Sequence, residues 1–350
     1  MKLAIITIFL IIALSVNLNS KQINKKFVVY IYGNEVNREN LKTLSKLKIY
    51  AIVTNNYDAL SLIKEFNFKA IAILMPFKLI DREYIRDING SIINYGFGSG
   101  CPNSEKIRNK SLEKIETLLL KGFDGISLDV IRYPSLSEDS HVLSTCFCKS
   151  CILKMGKDLK RFKKIASSIS VENLPLDWLA FRSNCIVEYC TLAYKLVKKY
   201  NAELWLDVFS PSFAPLVAQD LKRLSQVADI IQPMIYTRGR GIACLATEIK
   251  AIARALDKNE QDALIKTYKL LGLPQNLPTK FDKLDRLPDE VITSEVKKAN
   301  TLCKCKVIPL IFIENCGKDE IKSMINATNS EIIGLFHCNK RNISLLTGSF

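Results

Sequence analysis

Acidic side chains follow several short apolar runs of the sequence, and two of them suit proton-transfer chemistry. Asp129 ends a run that begins at Gly122, and Glu314 ends the run Ile308–Ile313. Two carboxyls that face each other across a cleft can hydrolyse a glycosidic bond, because one protonates the leaving oxygen and the other attacks or activates water. We expect the apolar run to raise the pKa of Glu314 and make it the acid, although the roles can be reversed.

The run that ends at Asp129 reads as a β-strand with two different faces. A period of two residues puts Gly125, Ser127 and Asp129 on one small, polar face and leaves apolar residues on the other. We expect the guanidinium of Arg132 to keep the Asp129 carboxylate ionised and oriented. A buried strand whose acid caps a loop is the structural alternative.

Other polar side chains stand where further runs end. Asp207 is a third candidate catalytic carboxyl. The candidate substrate-binding residues are Arg132, Tyr133, Gln232, Tyr236 and His337. The competing interpretation places Asp207 and Glu314 at solvated loop starts and His337 in the packed core.

The elements that must position these residues alternate between strand and helix. The predicted strands are Phe27–Gly33, Tyr50–Thr54, Ala70–Pro76, Phe123–Ile131, Leu204–Ser210, Asp229–Tyr236, Lys306–Glu314 and Glu331–Cys338. The predicted helices are Arg38–Lys46, Ala59–Phe66, Ser104–Lys121, Leu176–Tyr200, Pro215–Val227, Ala243–Asp257 and Asp289–Cys303.

This alternation predicts an α/β fold, a single-domain (β/α)8 TIM barrel over residues 21–350, with long loops after strands four and six. Such barrels keep their functional residues at the carboxyl ends of the strands. A doubly wound sheet is the alternative fold. The segment after the first strand, Tyr32-Gly-Asn-Glu35, lacks a glycine-rich phosphate loop, so a nucleotide-binding sheet is disfavoured and no cofactor is expected.

Residues 1–20 begin with one lysine and a short apolar run, which predicts a signal peptide cleaved near Ser20. An uncleaved N-terminal membrane anchor is the alternative. Both readings place the rest of the chain outside the cell or on the outer face of its membrane. The formal net charge is +15, but the lysines and arginines are scattered and no nucleic-acid motif accompanies them, so we expect no nucleic-acid partner.

Eleven cysteines suit an exported protein, and three of them form the dense cluster Cys146-Phe-Cys-Lys-Ser-Cys151. We favour one or two disulfides, with Cys101, Cys185 or Cys190 as possible partners, and expect no metal. The alternative is a metal site of Cys146, Cys148 and Cys151 completed by His141, which would allow a metal-dependent hydrolase.

Four segments resemble a known family when they are taken in order. Residues 123–134, FDGISLDVIRYP, resemble the DGI-x-LD-x-IRYP strand of the glycoside-hydrolase-like TIM-barrel family, whose members are mostly uncharacterised exported proteins. Residues 101–103 (CPN), 146–151 (CFCKSC) and 209–220 with 229–236 resemble its other segments. The resemblance implies the barrel, a polysaccharide or glycan ligand, and Asp129 as a catalytic or binding carboxylate. Val130 and Ala218 stand where the family often has Tyr and Gly.

These observations predict a glycoside hydrolase that acts on a polysaccharide or glycan by carboxylate acid–base catalysis. A non-catalytic glycan-binding or cell-envelope protein on the same barrel is the alternative. The two differ in whether a second carboxylate shares the mouth of the barrel with Asp129.

Overall fold

Eight parallel strands close into a barrel in the computed structural model, which describes residues 25–93, 97–98, 100–256 and 259–347. The strands are β1 (Lys26–Tyr30), β2 (Ile49–Thr54), β3 (Ala70–Leu74), β4 (Gly125–Leu128), β5 (Glu203–Phe209), β6 (Ile230–Met234), β7 (Lys306–Val307 and Leu310–Phe312) and β8 (Ile332–Phe336). Each strand pairs in parallel with the next along the chain, and β8 pairs with β1. The predicted TIM barrel is confirmed. The predicted signal peptide lies outside the described residues.

Six of the eight strands are shorter than the runs that predicted them, mainly at their carboxyl ends, whereas β2 is one residue longer and β5 has the predicted length. β4 ends at Leu128, because Val130 adopts a φ of +55°, which no strand residue shares. β7 is divided at Pro309, which has no backbone N–H to donate to a ladder. The polar residues at these positions therefore leave the sheet and enter the loops at the barrel mouth.

Twelve α-helices surround the barrel within the described ranges. They are α1 (Arg38–Leu44), α2 (Leu60–Glu65), α3 (Glu105–Leu120), α4 (Lys149–Met155), α5 (Leu159–Ala166), α6 (Leu176–Lys199), α7 (Leu221–Leu224), α8 (Leu245–Leu256), α9 (Glu260–Leu271), α10 (Asp289–Leu302), α11 (Lys318–Ala327) and α12 (Lys340–Thr347). None of these helices is long and apolar enough to cross a membrane.

The predicted helix Pro215–Val227 is wrong over its first half. A short 3-10 turn, Ala214–Val217, ends where Ala218 adopts a φ of +67°, and only the four residues of α7 are helical. The long excursions after β4 and β6 are confirmed, and they contain helices α4, α5 and α9, which the predicted set lacks. The excursion after β4 begins at Asp129.

A glycine brings together the two strands that carry the acidic candidates. A Cβ atom on Gly125 of β4 would lie 2.6 Å from the backbone oxygen of Glu203 on β5, so no larger residue fits without moving the backbone. The close approach also lets Ser127 of β4 hydrogen-bond to Asp207 of β5 inside the barrel. The predicted inward face of β4 is therefore the observed one.

Candidate active site

A cleft of about 870 Å³ opens at the carboxyl ends of the strands. Asp129 is the only carboxylate among the described residues that line it. The lining also contains four Tyr and Phe rings and three exposed lysines: Tyr32, Tyr57, Phe97, Phe336, Lys78, Lys110 and Lys114. The cleft therefore combines apolar ring faces with a positive rim around a single acid.

The turn after β4 holds the Asp129 side chain. The backbone N–H of Val130 donates to Asp129 Oδ1 at 2.7 Å. Val130 is β-branched and has a positive φ, a conformation that costs on the order of 1–3 kcal/mol and is concentrated at functional sites. This turn stores strain beside the acid of the cleft.

Burial raises the pKa of Asp129, and the Val130 N–H and the Arg132 charge oppose that rise only in part. The sequence analysis expected Arg132 to keep Asp129 ionised, so this expectation is corrected. Between the two roles considered for Asp129, a raised pKa favours the proton donor.

Arg132 is committed to another carboxylate. Its guanidinium lies 2.6 Å (Nη1 to Oε2) and 3.2 Å (Nη2 to Oε1) from Glu138, and the two side chains are 2% and 4% exposed. Tyr133 is also fully buried, with the Arg182 guanidinium 4.7 Å from its ring centroid. Neither Arg132 nor Tyr133 lines the cleft, so both are placed to support the loop after β4.

A buried polar cluster lies inside the barrel. Tyr30 Oη is 2.8 Å from Asp207 Oδ1 and 2.8 Å from Gln232 Oε1, and Ser127 Oγ donates to Asp207 Oδ1 at 3.0 Å. Asp207 is 1% exposed and Gln232 is fully enclosed, so neither is at a solvated loop start. Within the described part of the chain, Asp207 Oδ2 and Gln232 Nε2 have no hydrogen-bond partner.

The hydrogen bonds of this cluster have two solutions, and one of them protonates Asp207. One hydroxyl proton of Tyr30 cannot be donated to both oxygens at once. If Tyr30 donates its proton to Gln232 Oε1, a proton on Asp207 completes the hydrogen bond between Asp207 and Tyr30 Oη. In the other solution the Gln232 amide is turned, so that its NH2 group faces Tyr30 and Tyr30 donates to Asp207. Burial, followed by the nearby Asp129 charge, raises the pKa of Asp207 well above its usual range, which agrees with the protonated form.

We expect the Asp207→Asn variant to gain stability relative to the wild type as the pH rises from about 4 to about 8. Because the folded-state pKa is raised, the folded chain keeps a proton that the unfolded chain releases, and wild-type stability falls as the pH rises through the folded pKa. An amide does not titrate. Urea unfolding at several pH values measures the difference, with Asp58→Asn, on a side chain 95% exposed, as the control. If the difference in unfolding free energy between Asp207→Asn and the wild type did not change with pH, Asp207 would not be a buried protonated acid.

Glu314 and His337 form a pair at the ends of β7 and β8. Glu314 Oε2 lies 3.4 Å from His337 Nδ1, and the side chains are 34% and 47% exposed. Glu314 is therefore not enclosed by the apolar run before it, contrary to the sequence-based expectation. His337 lines the cleft, whereas Glu314 is not among the lining residues. The contact with Glu314 can therefore orient the His337 imidazole, which is part of the cleft lining.

Tyr236 lies next to these residues but below the surface. Its ring centroid is 5.2 Å from that of Phe336 and 5.6 Å from that of Phe312. Its hydroxyl is buried without a partner among the described residues, and burial, then Asp207 and Asp129, raise its pKa well above the usual range. Tyr236 is a neutral donor beneath the mouth.

Some residues of the site escaped the sequence analysis. Tyr30 and Tyr32 are two residues apart on and after β1, and the period-two rule could have put both on the inward face. Lys110 and Lys114 are four apart on α3 and share a helix face. Lys78 stands in the loop after β3, and no local pattern marks it.

The cysteine cluster contains no disulfide, and its members differ from the predicted set. The sulfurs of Cys101, Cys146, Cys148 and Cys151 all lie within 4.8 Å of one another. The Cys101 and Cys151 sulfurs are 3.5 Å apart, which is much longer than a disulfide bond, and all eleven cysteines are free thiols. His141 is exposed and outside the group. The disulfide prediction is therefore corrected: four thiols converge on one point.

Residues 102–248, which contain β4, β5 and β6, match the model of a protein family described as "Putative glycosyl hydrolase domain". The resemblance to glycoside-hydrolase-like barrels is confirmed over this part of the chain. No curated protein sequence matches the chain.

The chain matches several solved structures at low sequence identity. The spore cortex-lytic enzyme SleL of Bacillus megaterium QM B1551 has 10% identity and a TM-score of 0.49, with 93% of this chain and 74% of that chain covered. The class V chitinase of Pseudomonas fluorescens Pf-5 has 11% identity and a TM-score of 0.44, with 81% and 68% covered. The glycoside hydrolase domain of PelA from Pseudomonas aeruginosa has 12% identity and a TM-score of 0.43, with 89% and 94% covered.

Proposed function

We propose that this glycoside-hydrolase-like barrel cleaves a glycan in the cleft at its mouth, with Asp129 as the proton donor. One observation carries the proposal: Asp129 lines a large, partly apolar cleft at the end of β4, and burial raises its pKa. A carboxyl in such surroundings keeps its proton at a higher pH and can give it to a leaving glycosidic oxygen.

The second half of the reaction is assigned to His337, which Glu314 positions. As Asp129 transfers its proton to the glycosidic oxygen and the C–O bond breaks, His337 takes a proton from the water that attacks the sugar carbon. Glu314, 3.4 Å from His337 Nδ1, orients the ring and stabilises the imidazolium that forms. This differs from the sequence-based expectation, in which Glu314 itself met the substrate.

The cleft lining suggests the class of glycan. The rings of Tyr32, Tyr57 and Phe336 offer apolar surfaces for the faces of sugar rings. The lysines at the rim outnumber the one carboxylate, so the local charge is positive, as is the whole chain at +15. Such a cleft favours a polysaccharide that carries carboxylate or other anionic groups.

We expect the triple substitution of Lys78, Lys110 and Lys114 by Gln to weaken binding of an acidic polysaccharide about tenfold, since each exposed charge contributes up to about 1 kcal/mol. Binding to a neutral polysaccharide should not change. The matched control replaces three exposed lysines outside the cleft lining, Lys163, Lys164 and Lys199, and removes the same charge. Titration calorimetry at two salt concentrations measures both. Equal losses in the two triple variants would refute a charged cleft.

Hydrolysis itself is tested on a panel of acidic and neutral polysaccharides by the release of reducing ends. The proposal expects turnover of at least one acidic polymer by the wild type. Binding without turnover across the panel would instead support a non-catalytic glycan-binding protein. That second candidate is favoured by one observation, that Asp129 is the single carboxylate in the described cleft lining, whereas most glycosidases use two.

Export of the chain is part of the same proposal, because an extracellular location would give the cleft access to a polymer. It rests on the apolar run in residues 1–20. N-terminal sequencing of the mature protein recovered from the medium and from membranes distinguishes cleavage near Ser20 from an uncleaved anchor. Recovery of intact chain from the cytosol alone would contradict export.

A further inference from the structure

We propose that Cys101, Cys146, Cys148 and Cys151 bind one Zn²⁺ ion in a closed tetrahedral site that joins the loop after β3 to the loop after β4. The two loops are separate in sequence, with Cys101 just before α3 and the other three cysteines at or near the start of α4. Nothing but tertiary folding brings the four sulfurs together, within 4.8 Å of one another.

The distances from the Cys101 sulfur to two of the other sulfurs match those of ligands on one ion. Four thiolates at a Zn–S distance of about 2.3 Å in a tetrahedron have sulfurs about 3.8 Å apart. The Cys101 sulfur lies 3.5 Å from that of Cys151 and 3.9 Å from that of Cys146. An iron–sulfur cluster of several metal atoms attaches its cysteines to different irons and holds their sulfurs further apart. The spacing therefore fits a single ion.

Hydrogen-bond donors surround the sulfurs as they would surround bound thiolates. The N–H of Asn103 donates to Cys101 Sγ at 3.3 Å, and the N–H of Cys148 donates to Cys146 Sγ at 3.4 Å. In both cases the donor is two residues after the acceptor. The Asn103 side-chain amide also donates to Cys151 Sγ at 3.2 Å. Donors of this kind orient metal ligands and stabilise their negative charge.

The site is built for structure rather than for catalysis. All four cysteines are buried, so no coordination position is open to water or substrate. None of them lines the cleft. Four sulfur ligands in a closed tetrahedron are typical of structural zinc, and soft thiolates select Zn²⁺ over the harder cations. A metal-dependent hydrolase centred on these cysteines is therefore disfavoured.

The ion would stabilise one wall of the cleft. Among the described residues, the backbone hydrogen bond between the two loops runs from the N–H of Phe147 to Arg86 O at 2.9 Å, whereas the N–H of Cys101 donates to Glu83 O within the loop after β3. The loop after β3 supplies Lys78 and its neighbours to the cleft, and the loop after β4 begins with Asp129. A bound metal would also keep the four thiols from pairing in an oxidising compartment.

The test is the metal content of the full-length chain purified without chelators. We expect about one zinc per chain, and the cobalt-substituted wild type should show the visible and near-ultraviolet absorption of a tetrahedral thiolate site. After dialysis against a chelator, Cys101→Ser and Cys148→Ser should each contain less zinc than the wild type, by a factor of about ten or more. Zinc removal should also lower the Tm of the wild type.

Cys185→Ser is the matched control. The Cys185 thiol receives a 2.9 Å hydrogen bond from the same Asn103 amide but donates to Phe181 O and is outside the four-sulfur group. This variant should keep its zinc. If the ligand variants fail to fold, the cobalt spectrum of the wild type still decides. The proposal would be overturned by folded wild type that contains no zinc. In that case mass spectrometry would show two disulfides among these cysteines, or metal analysis would show iron instead of zinc.

Discussion

Replacement of Asp129 by Asn should lower the rate of glycan hydrolysis by about 10²–10⁴-fold, which is the usual contribution of a positioned acid or base. The amide has the shape of the carboxyl and can still accept the Val130 N–H at its oxygen, so we expect the fold and the glycan affinity to remain. The loss should therefore appear in kcat and leave KM nearly unchanged.

The pH dependence of the wild type follows from the same residue. A proton donor acts only while it is protonated, so activity should fall as the pH rises through the pKa of Asp129. Because burial raises that pKa, the alkaline limb should lie above the range of an ordinary aspartate. The limb should be absent from the residual activity of Asp129→Asn.

Two further variants separate Asp129 from its neighbours. Glu314→Gln should reduce kcat less than Asp129→Asn does, since Glu314 acts through His337. Asp207→Asn should keep the cleft intact, because Asp207 is buried beneath it. Full hydrolytic activity in Asp129→Asn would refute the assignment of the acid.

The second large effect concerns the buried ion pair between Arg132 and Glu138, which follows the turn at Val130. Arg132→Met should lower the free energy of unfolding by about 3–5 kcal/mol, since it leaves the Glu138 carboxylate buried without its cation. Among the described residues, the Ser135 N–H, at 2.8 Å from Glu138 Oε2, is the one further donor to that group. The loss should be visible in urea unfolding at neutral pH.

A double-mutant cycle tests whether the loss comes from the pair. Glu138→Leu alone should also be strongly destabilising, and the double variant Arg132→Met with Glu138→Leu should lose much less than the sum of the single variants. The control is Arg38→Met, because the Arg38–Glu65 pair is 66% and 52% exposed and should contribute at most about 1 kcal/mol. Additive losses at Arg132 and Glu138 would contradict a coupled pair.

The barrel and the position of its acid could be predicted from local patterns. Apolar runs of strand length alternate with helical periods, and parallel strands require such crossovers, so eight runs predict eight barrel strands. The period of two also puts Ser127 on the inner face of β4, where it contacts Asp207, and Asp129 directly after the carboxyl end of that strand. Both inferences need only the geometry of one element at a time.

The environment of each acid could not be predicted in this way. Arg132 was paired with Asp129 because the two are close in sequence, but the turn at Val130 directs the chain so that Arg132 meets Glu138. Glu314 follows an apolar run and yet remains a third exposed, since its neighbour is His337 from the next strand. Ionisation depends on burial and on charges from other elements, which spacing does not encode.

The sequence by itself therefore determined the barrel, its carboxyl-end mouth and the presence of Asp129 there. Tertiary structure alone decided that Asp129 is a desolvated acid, that Asp207 is enclosed with Tyr30 and Gln232, and that Cys101 joins the three cysteines of the next loop. The physical reason is the distance along the chain between the residues involved. Periodicity reports contacts within one element, whereas desolvation and ligand geometry arise where loops that are distant in sequence converge.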